Sequence, residues 1–262
     1  MRILILGAGK MISALLEGFI GSADFSNIYI YSPSGVSAQT LAKKVNAKWV
    51  TDLGEIGQID YVWLGCKPQQ LSSLSGILDS NVLNAVFISF LAAIPEDDQR
   101  KILGIEKLIR VMPNLNVRLR KGISLISSKS SINHLNQVKE FFSHVGDSLI
   151  VEENELDELT LLTGSGPAFL YEFAKYLAES FTSLTPPERE RLAKAVLIGA
   201  GASLSDPNVT FDELINSVTS KGGVTIATLD YWRGHQLQDE VKTGIKAGKK
   251  RSLELLSSIH HI

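Results

Sequence analysis

At 262 residues the chain has room for one large domain or two ordinary ones, and its apolar fraction of 44% and charged fraction of 21% are those of a soluble globular protein. A formal net charge of −2 argues against a nucleic-acid or anionic-membrane surface, which would need a basic bias, so neither partner is expected. A single cysteine, Cys66, excludes an internal disulfide framework and a cysteine-rich zinc site and fits a reducing cytoplasm; the five histidines have no metal-ligand spacing, and no metal is expected. No apolar run reaches the ~20 residues of a membrane span.

Ile3 to Leu6 is a β-favouring run that stops at Gly7-Ala8-Gly9, after which Met11, Ala14, Leu15 and Phe19 recur at helical spacing. Strand, glycine turn, helix is the context in which Gly-x-Gly reads as a dinucleotide-binding loop. The first glycine permits the tight turn, and the second lets backbone approach a pyrophosphate at the helix N-terminus. The third small residue of that fingerprint should fall at position 12, where this chain has Ile12.

A second strand covers Asn27 to Tyr31 and is followed by Ser32-Pro33-Ser34, with no Asp or Glu for ribose hydroxyls. The same three residues also suit an ordinary turn. A helix over Val36 to Val45 leads to a short strand near Trp49, then to a strand over Asp60 to Gly65 closed by Lys67-Pro68. Ala85 to Phe90, Pro95 to Leu103 and Leu108 to Val111 read as strand, helix and strand, the last cut off by Met112-Pro113-Asn114. Gly122 to Ile126, Ile132 to Phe142 and Asp147 to Val151 complete the pattern. Such alternation predicts a parallel, doubly wound sheet of α/β class, with ligands outside the carboxyl ends of the strands.

After Glu152 no β-rich run appears, and the boundary is placed there: residues 1–152 bind dinucleotide, residues 153–262 form an all-helical domain. Leu156 to Phe181 has helical spacing but contains Thr163-Gly164-Ser165-Gly166-Pro167. Glycine in a helix interior costs roughly 1 kcal/mol against alanine and proline roughly 3, so a break is expected here. It reads either as a loop between helices or as a helix start whose freed N–H groups and Ser165 hydroxyl face a ligand. Helices follow at Pro186 to Leu204, Phe211 to Val218, Ile226 to Trp232 and Gln238 to Leu256. In the first of these, Leu192, Val196, Ile198 and Leu204 occupy more than one face, which predicts a homodimer through this domain. A second polar interruption spans Thr219 to Thr225. Neither interruption offers a carboxylate pair, a His–Ser pair or a metal cluster, which suits hydride transfer from a coenzyme to an iminium substrate. Joining helices of a bundle would explain the same glycines.

Five motifs, in this order, resemble the pyrroline-5-carboxylate reductases: Gly7-Ala8-Gly9-x-Met11, Leu64-x-x-Lys67-Pro68-Gln69, Met112-Pro113-Asn114, Gly164-Ser165-Gly166-Pro167-Ala168, and Val218-Thr219-Ser220-x-Gly222-Gly223-x-Thr225. The similarity runs from Ile3 to about Arg251. It implies a Rossmann domain followed by a helical dimerisation domain, and reduction of 1-pyrroline-5-carboxylate to L-proline with NADPH or NADH. It implies that Gly7, Ala8, Gly9, Lys10 and Met11 bind pyrophosphate and that Ser32, Ser34 and Asp52 lie by the adenosine ribose. Lys67, Pro68, Phe90, Leu91, Ala92 and Asn114 would line the coenzyme cleft. Ser165, Ser220, Gly222, Gly223 and Val224 would hold the substrate, with the Thr225 hydroxyl at its ring nitrogen as the catalytic contact. Ile12, Asp52, Leu115-Asn116, Lys221 and Val224 depart from the family's pattern, and Ser180 to Pro187 is shortened. The alternatives are another NAD(P)-linked imine or β-hydroxyacid reductase, and a non-catalytic dinucleotide-binding paralogue.

Overall fold

The computed structural model describes residues 1–22, 27–32, 35–54, 56–78 and 80–259. Its first half is one eight-stranded sheet in the order β3-β2-β1-β4-β5-β6-β7-β8. β1 (Ile3–Leu6) leads into α1 (Lys10–Phe19), β2 (Ile28–Tyr31) into α2 (Val36–Val45), and the two-residue β3 (Lys48–Trp49) lies at the sheet edge. β4 (Tyr61–Leu64) is followed by a 3-10 turn at Pro68–Gln70 and the short helices α3 (Leu71–Leu74) and α4 (Ser80–Leu83). Then come β5 (Val86–Ser89), α5 (Glu96–Leu103) and β6 (Leu108–Pro113). These six strands are mutually parallel.

β1, β4 and β5 are buried along their whole length, which is why they read as unbroken apolar runs. One face of the sheet, through Ile5, Trp63 and Ile88, packs on α1, α2 and α6 (Leu135–Ser143). The other, through Leu4, Val62 and Phe87, packs on α3 and α5. An aromatic group fills the first face: Trp63 lies edge-on to Phe90 at 5.4 Å and stacks on Phe142 at 6.0 Å.

The sheet departs from the expected parallel pattern after β6. β7 (Gly122–Ser127) runs antiparallel to β6, and β8 (Gly146–Ile150) runs parallel to β7. The connection from Asn114 to Lys121 is a 3-10 turn, too short for the dozen or so residues a crossover requires. It is packed tightly against α1: a Cβ on Gly18 would collide with the Val117 carbonyl, and Arg120 Nε donates to the Gly18 oxygen at 2.9 Å.

α7 runs from Glu153 to Glu179, 27 residues with Pro167 inside. The expected break at Gly164–Pro167 is therefore absent. What Pro167 removes is one N–H, so the group freed is the carbonyl of Thr163 rather than a set of N–H donors. Asn114 Nδ2 donates to that carbonyl at 3.0 Å, which offsets the lost bond. The first turns of α7 lie on the sheet. Leu156 is fully buried, and the buried Arg110 of β6 pairs with Glu153 at 2.8 Å and Asp157 at 2.9 Å. Glu153 also accepts from the Glu96 N–H at 3.0 Å, at the start of α5.

The chain divides into two compact units, Met1–Ser165 with the C-terminal residues from Lys250, and Gly166–Lys249. The second unit contains α8 (Pro186–Ser203), α9 (Phe211–Ser217), α10 (Val224–Gly234) and most of α11 (Leu237–Ile259). Capping boxes start α8 and α9: Glu188 accepts from the Thr185 N–H, and Glu213 from the Thr210 N–H. Phe173 and Trp232 meet edge-on at 5.9 Å, joining α7 to α10. No helix among the described residues is long and apolar enough to cross a membrane.

Candidate active site

A cleft opens at the carboxyl ends of β1, β2 and β4. Gly7, Ala8, Gly9, Ser32 and Lys67, all expected there, line it together. Gly7 has φ +105°, and a Cβ on it would lie 2.7 Å from the Gly65 carbonyl carbon, so only glycine fits between the ends of β1 and β4. Gly9 is different. Its added Cβ would meet only the Gly65 oxygen, at 3.7 Å, so the space above it is open. Gly9 caps α1 without a side-chain bond, and Lys10 and Met11 begin the helix with their N–H groups outside the ladder.

Ile12 is accommodated by the same pair of turns. It is fully buried, and a Cβ on Gly65 would collide with its side chain. Missing bulk at position 65 balances the extra bulk at position 12, so the glycine fingerprint is rebuilt rather than lost. Leu115 and Asn116 likewise have a structural place as the first residues of the 3-10 turn, where the Asn116 N–H donates to Asn114 Oδ1 at 3.2 Å.

The other expected coenzyme contacts are not among the described residues that line this cleft. Asp52 is exposed and outside the cleft; its Oδ1 accepts from the Gly54 N–H at 2.9 Å, a local turn that an aspartate favours. Phe90 packs on Trp63 and Leu91 is buried in the core, so their side chains are spent on packing, while Ala92 is exposed. Pro68 starts the 3-10 turn beside the cleft. Asn114 directs its amide at Thr163. Ser34, with Pro33, lies outside the described residues.

Two polar lining residues, Ser37 and Gln70, lie outside the positions expected from the sequence. Ser37, in the first turn of α2, adds a hydroxyl beside Ser32. Gln70 Oε1 accepts from the Lys67 N–H at 3.0 Å and so fixes the turn that presents that lysine. Cys66 also lines the cleft, and burial pushes its thiol up to about 11. Ser37 could have been found from its place after Gly35 at a helix start; Gln70 carries no local signal.

In the helical unit, the Ser220–Gly223 segment is a tight turn closed by the Gly223 N–H on the Ser220 carbonyl at 2.9 Å. Gly222 has φ +72°, the left-handed region that favours glycine, and a Cβ on Gly223 would collide with the Ser220 hydroxyl. Lys221 occupies the position where such turns favour proline. Gly223 is the N-cap of α10, so the helix begins at Val224 and Thr225 sits in its first turn. Thr225 is therefore not the cap of a helix starting at Ile226. It is exposed, and among the described residues its hydroxyl has no hydrogen-bond partner. Ser165 is half-buried within α7.

Comparison with known proteins matches residues 153–255 to a family described as pyrroline-5-carboxylate reductase dimerisation, and residues 2–93 to one described as NADP oxidoreductase, coenzyme F420-dependent. The pyrroline-5-carboxylate reductase of Staphylococcus saprophyticus is 31% identical over 98% of this chain and 98% of its own. That of Staphylococcus aureus is 31% identical over 97% and 98%. The fold matches the pyrroline-5-carboxylate reductase of Coxiella burnetii (TM-score 0.87, 23% identity, 97% and 98% covered). It also matches the Plasmodium falciparum enzyme with NADP bound (TM-score 0.80, 20% identity, 97% of each chain covered). Similarity at this level over the full length of both staphylococcal relatives means that the chain belongs to the pyrroline-5-carboxylate reductase family.

Proposed function

We propose that the protein reduces 1-pyrroline-5-carboxylate to L-proline with NADPH, the last step of proline biosynthesis, as a homodimer or larger homo-oligomer in the cytoplasm. The observation that carries this reading is the 31% identity over 98% of both chains with a reductase of that name. The coenzyme suits the cleft on physical grounds: Gly9 leaves open space beside the uncapped start of α1, where N–H groups favour an anion. Gly7 to Met11 would hold the pyrophosphate. Ser32 and Ser37 follow β2, where the adenosine ribose is expected, and their hydroxyls can donate to a 2′-phosphate; no carboxylate is among the described residues that line the cleft.

When bound, the nicotinamide supplies hydride to the C=N carbon of the substrate. The chain's task is to hold and orient that substrate. The N–H groups of Val224 and Thr225, at the start of α10, suit its carboxylate, as does the Ser165 hydroxyl. The unpartnered Thr225 hydroxyl suits the ring nitrogen, because it can accept from a protonated imine and adapt as that nitrogen becomes an amine. No titrating side chain is needed for this. The test is product analysis: purified protein with NADPH and pyrroline-5-carboxylate should form one L-proline per NADPH consumed. Folded protein that forms no proline with NADPH or NADH would leave the non-catalytic paralogue as the better reading.

A further inference from the structure

One hydrogen bond ties the motif Met112-Pro113-Asn114 to Thr163, the residue just before the motif Gly164-Ser165-Gly166-Pro167-Ala168. Pro167 lies in α7 one turn after Thr163. Its nitrogen carries no hydrogen, and its ring crowds the carbonyl four residues back, so the helix leaves the Thr163 oxygen without its usual donor. Asn114 Nδ2 donates to that oxygen at 3.0 Å. Asn114 is only 6% exposed, and its orientation is fixed from the other end. Its Oδ1 accepts from the N–H groups of Asn116 at 3.2 Å and Ile123 at 3.4 Å, which only an oxygen can satisfy. The donor end of the amide is thereby aimed at α7 by the backbone of the turn that follows β6.

We infer that Asn114 is a positioning residue: through the carbonyl that Pro167 releases, it fixes the stretch of α7 that carries Gly164 and Ser165. The inference rests on the substrate-binding reading of Ser165 given above. The proline makes Asn114 the donor on which that oxygen depends, whereas an ordinary residue at 167 would return a helical N–H able to satisfy it. Asn114 therefore serves the substrate side of the site rather than the coenzyme directly.

Four forms test this: the parent, Asn114→Asp, Pro167→Ala, and the two combined. Asn114→Asp keeps the size and the Oδ1 acceptor but puts an oxygen against the Thr163 carbonyl. It should lower kcat/KM for pyrroline-5-carboxylate about 10-fold or more, as loss of a buried hydrogen bond to an unsatisfied partner implies, with KM for NADPH changed by about twofold at most. Adding Pro167→Ala should restore most of that loss and most of the lost urea midpoint, because the new N–H at position 167 can then satisfy Thr163. Equal losses in both backgrounds would overturn the inference. So would a rise in KM for NADPH with the substrate terms unchanged. If the parent shows no turnover, the proposed function fails, but the urea midpoints still decide: non-additive shifts support the Asn114–Thr163 link and additive ones overturn it. Asn114→Ala in the same two backgrounds gives the same reading if the aspartate variant does not fold.

Discussion

Thr225 stands in the first turn of α10, its hydroxyl without a hydrogen-bond partner among the described residues, and kinetics test its role. As a contact to the ring nitrogen, it should make Thr225→Ala lose about 10-fold or more in kcat, since one bond to a charged group contributes roughly 1.5–3 kcal/mol. Thr225→Ser should keep most activity, and KM for the coenzyme should barely move. Intact turnover in Thr225→Ala would remove Thr225 from the chemistry. Cys66 gives a second prediction. Burial raises its thiol from 9.0 to about 11, so the folded state holds its proton more tightly than the unfolded chain. The resulting stability is complete below about pH 9 and is lost as pH rises towards 11. Alkylation of Cys66 in the native protein should therefore follow a pH midpoint near 11, and a midpoint near 9 would mean that the thiol is solvated. NADPH should slow the reaction further, because Cys66 lines the cleft.

Among the elements, the six parallel strands were legible because each, apart from the edge strand β3, is an apolar run bounded by glycine or polar turns. The glycine loop after β1 was legible for the same reason: its context is local. Three features were not, and each depends on a partner distant in sequence. Pro167 reads locally as a helix breaker, yet its cost is met by Asn114, which donates to the carbonyl of Thr163, 49 positions further along the chain. Ile12 was read as a defect in the fingerprint, yet Gly65 makes room for it from the end of another strand. Arg110 was read simply as part of a strand, although it is buried and tied to two carboxylates of α7. Removing one partner of a buried pair costs more than the pair contributes, because the other charge is left uncompensated. Arg110→Ala should therefore destabilise the protein by about 3–5 kcal/mol in equilibrium unfolding. A loss under about 1 kcal/mol would mean that water replaces the guanidinium at Glu153 and Asp157.

For the molecule as a whole, the helical unit leaves large apolar side chains in water within a single chain: Val196 is 67% exposed and Ile198 73%. Both lie on α8, inside the segment that matches a dimerisation family. A second copy packed on this helix would cover them, and light scattering at micromolar concentration should give a dimer or a multiple of it. Val196→Glu should shift the protein towards monomer while the Rossmann unit stays folded. An active monomer in the parent protein would contradict the proposed assembly. The central claim, that this chain is a working pyrroline-5-carboxylate reductase, is tested most directly by the initial rate of NADPH oxidation, followed at the nicotinamide absorbance as pyrroline-5-carboxylate is varied. The account predicts a saturable, substrate-dependent rate that falls sharply in Thr225→Ala and in Gly9→Val, the first through kcat and the second through KM for NADPH. A rate no higher with substrate than without it, in protein that binds NADPH, would contradict the account.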